Sequence, residues 1–586
     1  MKKMAATTLR TDVLIIGCEG AGARAAIAAH DSGADVLMIT KGRFGRSGAT
    51  ITGIADIDVD SRSARDLLGL EGNPADNKDI FFEDILIEGK YLNNQKLIEL
   101  HVEEAPARLR EMMDWGMKPK GLLLSPGHRY PRGVLTAGIE IMRVLKKQVS
   151  MRKIKVIEDM MAVDILTKDG AAIGAVTLDL QKGEFFVLSS QATVIATGGG
   201  MMVYSIQSAP HELTGDGQAM AYRAGAELVD MEMTQFHPCN FLSPPVWRGI
   251  GFPFTIGPAG GMDVWLLNKF GQRFMSKWDP KRMEKTTRDT LSIGIMTEIL
   301  EGRGSPSGGV YMSLAHLPGN LVDDFLGWFS KGGLIGPNWT YQGFHFSDLM
   351  EKVKKGYAME VTPASHFFMG GIRINEDCET NVTGLYAAGE VAGGTHGANR
   401  LSGNALTQVL VQGARVGKVA AELARRTNRS EPEAEQVTKI RERLLRYLQN
   451  REGFQPAKLR KELQEVAWKK AGIVRDGSGL KEALDWVKQL KKDKLPQVAT
   501  RAKEQQYNRE WIEAIQLESL STILEAVATS ALLREESRGA HYRKDFTETD
   551  DRWLKNIFLK KEGHTMTPAV YPIVATRWKP GQKGYE

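Results

Sequence analysis

Apolar and polar positions change rhythm several times along this chain, and each change predicts a different kind of element. Near the N-terminus, TDVLII (Thr11 to Ile16) is a short apolar run rich in β-branched residues. The following GCEGAGARAAIAAHDSGADVLMITK predicts a glycine turn, an alanine-rich helix and a second strand, the opening unit of a doubly wound α/β sheet. QATVIATGGG (Gln191 to Gly200) and GLYAAGEV (Gly384 to Val391) repeat the pattern of a strand running into glycines. Between about 242 and 360 the pattern becomes rich in Gly, Pro and Trp, with LLNKFGQRFM and a helical RDTLSIGIMTEILEG. From Ser430 to about Arg538, Leu recurs at three- and four-residue spacing (IRERLLRYL, LKEALDWVKQL, SLSTILEAVATSALL), which predicts amphipathic helices. RWKPGQKGYE reads as a polar tail.

Composition narrows the class without choosing a chemistry. A chain of 586 residues is too long for one core and implies two to four domains. The hydrophobic class makes up 42% and charged residues 25%, an ordinary globular profile. No apolar run approaches the ~20 residues that span a bilayer, and the basic MKKMAATTLR leads into a strand rather than a signal sequence. Cys18, Cys239 and Cys378 are scattered without cluster or zinc spacing, so the expectation is a reducing, cytoplasmic setting and no iron–sulfur cassette. A net charge of +6 is modest for this length and does not point to nucleic acid.

The candidate chemistry lies where strands end in glycines. Gly17 permits the first turn, and the helix start beyond Gly20 and Gly22 can take a pyrophosphate on its free N–H groups. Glu19 stands where the usual fingerprint has its second glycine, and the second strand ends in Thr40 and Lys41 rather than an acid. Asp216 sits in a glycine turn ahead of a helix, and Glu390 ends a strand where a carboxylate can accept hydrogen bonds from cofactor hydroxyls. HGANRLSGNAL (His396 to Leu406) gives a core little to bury, but it offers small residues and Arg400, whose planar fork of donors grips carboxylates.

TGDGQAMAYRAGA, MTQFHP, RFMSKW, TTRDT, SHFFMGGI, GLYAAGE, HGANRLSGNAL and ESRGAHYRKDF occur in this order from about Asp12 to Phe546. Together they resemble the flavoprotein subunit of the succinate dehydrogenase and fumarate reductase family, which includes L-aspartate oxidase. The resemblance implies an α/β fold: a Rossmann-like FAD-binding domain (1–241 and 361–428), an inserted α+β capping domain (242–360), a C-terminal helical domain (429–550) and a tail (551–586). Residues matching the FAD site are Gly17, Gly20, Ala21, Gly22, Lys41, Ser47, Gly48, Ala49, Gly53, Met161, Ala196, Thr197, Gly198, Asp216, Glu390, Arg400, Asn404, Ala405 and Leu406. The same resemblance gives His237, Thr255, His366 and Arg400 as substrate ligands and Arg288 as proton donor.

Two departures qualify it. Gly48 occupies the position of the flavin-linked histidine of respiratory members, which implies FAD bound without a covalent bond. Ile256 and Ala259 replace the glutamate and arginine of the family's proton relay, so either another route serves Arg288, with Arg248 or Asp263 as candidates, or the substrate is not fumarate. The implied function is the catalytic flavoprotein subunit of a fumarate reductase or succinate dehydrogenase-like complex. Hydride would pass between the flavin and a carbon–carbon bond of a carboxylate. The implied partner is an iron–sulfur subunit, and peripheral attachment to the cytoplasmic membrane would run through such a partner. The alternatives are an amino-acid oxidase like L-aspartate oxidase, or an electron-transfer flavoprotein acting on another substrate.

Overall fold

The computed structural model describes residues 7–252, 254, 262–331, 340–341, 343–579 and 582. Its central sheet runs, edge to edge, Lys155–Ile157, Val36–Ile39, Thr7–Ile16, Phe185–Ile195, Ala171–Asp179 and Met160–Lys168. The first four strands are parallel; the last two return antiparallel. The long strand Phe185–Ile195 changes partner along its length. Its first half pairs with Ala171–Asp179, and its last residues pair in parallel with Leu385–Ala387. Three glycine-ended strands therefore finish side by side at one edge of the sheet, where ligands of such folds bind.

Two helices cover one face of the first strand. Gly20–Asp31 packs against Asn404–Arg426 through alanine and glycine; a Cβ on Gly417 would stand 2.2 Å from the carbonyl oxygen of Ala25. That approach is open only to a residue with no side chain. Arg425 and Arg426 in the last turn of the second helix complement its C-terminal carbonyls.

A second, separate core lies under the inserted segment, with Phe241, Trp247, Phe252, Phe274, Leu291 and Met312 among its members. Its sheet orders Thr234–Phe241, Met359–Phe368, Val310–Ser313 and Trp265–Leu267, all antiparallel. Helices Ala434–Gln449, Pro456–Lys470, Gly477–Gln489 and Arg509–Leu533 form a layer whose apolar side joins the main core. No helix among the described residues is long and apolar enough to cross a membrane.

The stretch expected as a tail from Asp551 is not one. Lys555–Glu562 and Thr565–Pro572 form a hairpin, and its first strand pairs with Leu228–Val229. KNIFLKKE buries Asn556, Ile557 and Leu559 against that partner, while its charged residues face outward. Short apolar positions interrupted by lysines hide this strand from a reading based on hydrophobic runs.

Candidate active site

The strand ends surround a cavity of about 970 Å³. Gly17, Ala21, Lys41, Ser47, Gly48, Ala49, Gly53, Met161, Ala196, Thr197, Gly198, Asp216, Glu390, Ala405 and Leu406 line it, and so do His237, Arg288, His366 and Arg400. One continuous space thus joins the expected nucleotide groove to the expected substrate ligands. Gly20, Gly22 and Asn404 stand behind its wall. Gly20 donates its N–H to Thr50 Oγ1, and a Cβ on Gly22 would fall 1.8 Å from the carbonyl oxygen of Gly17, so both serve packing of the first turn. Asn404 Oδ1 instead meets His101 Nε2 at 2.7 Å. Thr255, Ile256 and Ala259 lie outside the described residues. Arg248 lines the cavity, whereas Asp263 is exposed and does not.

At the nucleotide end, Gly17 has φ +106°, and a Cβ there would lie 2.2 Å from Ala196 O. Glu19 keeps its side chain folded over Gly48; a Cβ at 48 would come within 2.4 Å of Glu19 Cγ. Burial, opposed by a hydrogen bond from the Ile51 backbone, raises the Glu19 carboxyl to about 8. It is therefore protonated near neutrality and adds no negative charge beside an incoming phosphate. Lys41 bonds Asp216 and Thr214, which ties the end of the second strand to the distant glycine turn. Thr197 Oγ1 and Asp216 Oδ1 are buried without partners among the described residues. Glu390 accepts the N–H of Phe368 at 2.9 Å, and burial raises it to about 7.

At the other end, two cations share the wall. Arg400 is 5% exposed; its guanidinium lies 4.8 Å over the ring of Phe367, and its Nε has no partner among the described residues. Burial, and then the charge of Arg288, lowers it to about 9. Arg288, the first residue of helix Arg288–Leu300, hydrogen-bonds Gln235 Oε1 at 3.3 Å and Ser402 Oγ at 3.2 Å. Neither guanidinium makes an ion pair with a carboxylate among the described residues. His237 and His366 sit on neighbouring strands, where His237 is in register with Ala364, and their rings are 5.5 Å apart. Burial, and then Arg288, pushes His237 down to about 3 and His366 well below its ordinary value, so both imidazoles are neutral. Ser208 Oγ lies 2.8 Å from His366 Nδ1, while His237 Nδ1 is buried without a partner among the described residues.

Three residues escaped the sequence reading. Gln235, within MTQFHP, donates to Asn399 and to the carbonyl oxygen of Arg400 while accepting from Arg288, and so it spaces the two cations. Asp56 faces the large cavity with Oδ2 unpartnered among the described residues. Glu88 lines a small adjoining cavity. Alternating buried acids in IADID were a signal for Asp56; nothing local marked Glu88.

The FAD binding domain family matches residues 12–406, and the fumarate reductase flavoprotein C-terminal family matches 460–585. The chain belongs to the fumarate reductase and succinate dehydrogenase flavoprotein family. It is an FAD-dependent oxidoreductase of that family. The fumarate reductase (CoM/CoB) of Methanothermobacter marburgensis has a subunit that is 36% identical, over 94% of this chain and 97% of its own length. A fumarate reductase flavoprotein subunit of Mycobacterium tuberculosis is 30% identical, over 99% of this chain and all of its own. Among solved structures, an Escherichia coli quinol fumarate reductase chain superposes with a TM-score of 0.85 at 26% identity, over 98% and 99% of the two chains.

The cavity fits FAD on its own terms. Its volume lies within the ~300–1,000 Å³ range of ligand sites, its glycine cradle leaves no room for a Cβ, and its buried unpartnered polar atoms await hydrogen bonds.

Proposed function

We propose that this flavoprotein reduces or forms the carbon–carbon double bond of a dicarboxylate, fumarate or a close relative, as part of an electron-transferring assembly. The observation that carries the reading is the pair of guanidinium groups, Arg288 and Arg400, on one cavity wall without an ion-paired carboxylate among the described residues. A desolvated cation is costly unless paired, and a dianion supplies both partners at once.

Gly17, Gly48, Ala196, Thr197, Asp216, Glu390, Ala405 and Leu406 would hold the FAD. When bound, it supplies a two-electron hydride donor or acceptor. Gly48 offers no nucleophile, so the association is non-covalent. Arg400 takes one carboxylate in its fork, and neutral His237 and His366 contribute ring N–H groups that draw charge off the double bond as hydrogen-bond donors, not as acids. Arg288 gives the substrate carbon its proton, and its lowered pKa makes that proton easier to release. Electrons come from an iron–sulfur subunit. The naming of the Methanothermobacter relative as one subunit of its enzyme supports this, as does the absence among the described residues of any group of three metal-ligating side chains. The reading keeps a cytoplasmic setting, with any membrane attachment made by a partner.

A second reading, oxidation of an amino acid, is favoured by Asp56, whose Oδ2, unpartnered among the described residues, lines the cavity where it would accept from a substrate ammonium. An anaerobic assay with reduced viologen and a panel of unsaturated acids, beside an aerobic assay with L-aspartate, separates the two. Fumarate-class turnover supports the proposal; aspartate oxidation alone overturns it. In the same assays Arg400→Lys should lose roughly 2–5 kcal/mol of substrate or transition-state stabilisation, because a point charge does not replace the fork.

A further inference from the structure

An arginine that protonates a carbon must recover a proton before the next turnover, from a group that can release one near neutral pH. Neither of the atoms that accept from Arg288 among the described residues, Gln235 Oε1 and Ser402 Oγ, can do so readily. Beside it lies a second cavity of about 20 Å³, whose wall includes Arg288, Arg400, His237, Thr286 and Glu88. That is room for one water molecule, with enough polar neighbours to hold it. Glu88 is the one carboxylate on this wall among the described residues.

We propose that Glu88, acting through a single water in this cavity, returns the proton to Arg288. The proposal rests on the reading of Arg288 as the proton donor. Arg288 gives H⁺ to the substrate carbon and is left as neutral guanidine. The water donates H⁺ to the guanidine as it takes one from the Glu88 carboxyl. The Glu88 carboxylate is then reprotonated from solvent, so one proton moves inward and no electrons are exchanged.

Several features suit Glu88 to the task. It is the last residue of helix Lys78–Glu88, where the free carbonyls disfavour a negative charge. It is 7% exposed and is held by Asn399 Nδ2 at 2.6 Å, with no cation among the described residues hydrogen-bonded to it. Burial raises it to about 7; the charged groups that act on it are Lys90, Asp289, Arg288 and Arg282. Of these, Arg282 is exposed and Lys90 half-buried. Asp56 is the competing acid, but it lines the large cavity and not the small one, so it does not face a water held there between Arg288 and Glu88.

The test uses purified holoenzyme with reduced viologen and fumarate. Glu88→Gln should lower kcat roughly 10²-fold or more, in the range of a lost general acid, with KM little changed and dithionite reduction of the flavin intact. Glu88→Asp should recover part of the rate. The kcat limb near neutral pH should vanish in Glu88→Gln, together with an infrared band of a protonated carboxyl that titrates there. Normal kcat and pH profile in Glu88→Gln, with Arg288→Ala inactive, would overturn the relay and leave the function standing. An active Arg288→Ala, or no turnover of any unsaturated dicarboxylate by the unmodified enzyme, would overturn both. A kcat-only loss in Asp56→Asn but not in Glu88→Gln would move the relay to Asp56.

Discussion

Glu19 and Gly48, two departures from the usual pattern that stand well apart in the chain, are a single packing event. Glu19 needs space for a long side chain at the mouth of the first turn. Gly48 supplies it by having none and by taking φ +89°, a region unfavourable to L residues. The pair also explains why an acid is tolerated beside a phosphate site, since its burial keeps it protonated. Gly48→Ala should therefore weaken FAD retention, and the loss should be only partly relieved by adding Glu19→Gly, because the backbone strain of roughly 1–2 kcal/mol persists. The ratio of flavin to protein absorbance after gel filtration measures both. Full occupancy in Gly48→Ala alone would show that the contact is slack.

At the scale of elements, the contact between Gly20–Asp31 and Asn404–Arg426 sets two opposing effects against each other. Gly417→Ala gains about 1 kcal/mol of helix propensity. It also drives a Cβ to 2.2 Å from Ala25 O, and overpacking of this kind costs about 1–3 kcal/mol. A backbone oxygen cannot swing aside, so packing wins and the melting temperature should drop; an unchanged or higher value would mean that the helices separate freely. The first of these helices was legible in the sequence as an alanine-rich run behind a glycine turn; the second was not read there, its start lying in the small, polar HGANRLSGNAL. The strand ends, Arg400, His237 and His366 were legible because motif order identified them. The hairpin at Lys555–Pro572 was not, because its partner Leu228–Val229 is two residues long and remote. Glu88 was not either, since its role comes from what stands across a cavity rather than from its neighbours in the chain.

For the whole molecule, buried titratable groups give stability a pH dependence with a definite sign. Glu19 is raised to about 8, and Glu88 and Glu390 to about 7. In the unfolded chain such acids ionise near ~4.3. Above that pH the folded state holds protons the unfolded state has lost, so their contribution declines as pH rises through the folded values. Buried His101 and His128, lowered to about 4, act in the opposite direction, losing stability as pH falls below about 6.5. Between about pH 7.5 and 8.5 those histidines are almost wholly neutral in both states and the acids, Glu19 above all, set the slope. The melting temperature of the cofactor-free protein should thus fall across that interval, and less steeply in Glu19→Gln. A rise across the interval would contradict the assignment.

The C-terminal hairpin also bears on how the molecule is made. Asn556 Nδ2 bonds Asp230 across 326 positions of chain, and the strand leading to His237 begins shortly after that aspartate, at Thr234. At ~5–20 residues per second, a ribosome that has finished Asp230 works for tens of seconds before its partner exists. This brace beside the wall of the substrate site therefore cannot form until the chain has been made as far as Asn556. A nascent chain that has not yet reached Lys555 would carry an uncovered Leu228–Val229 edge, the kind of unpaired strand that quality control recognises.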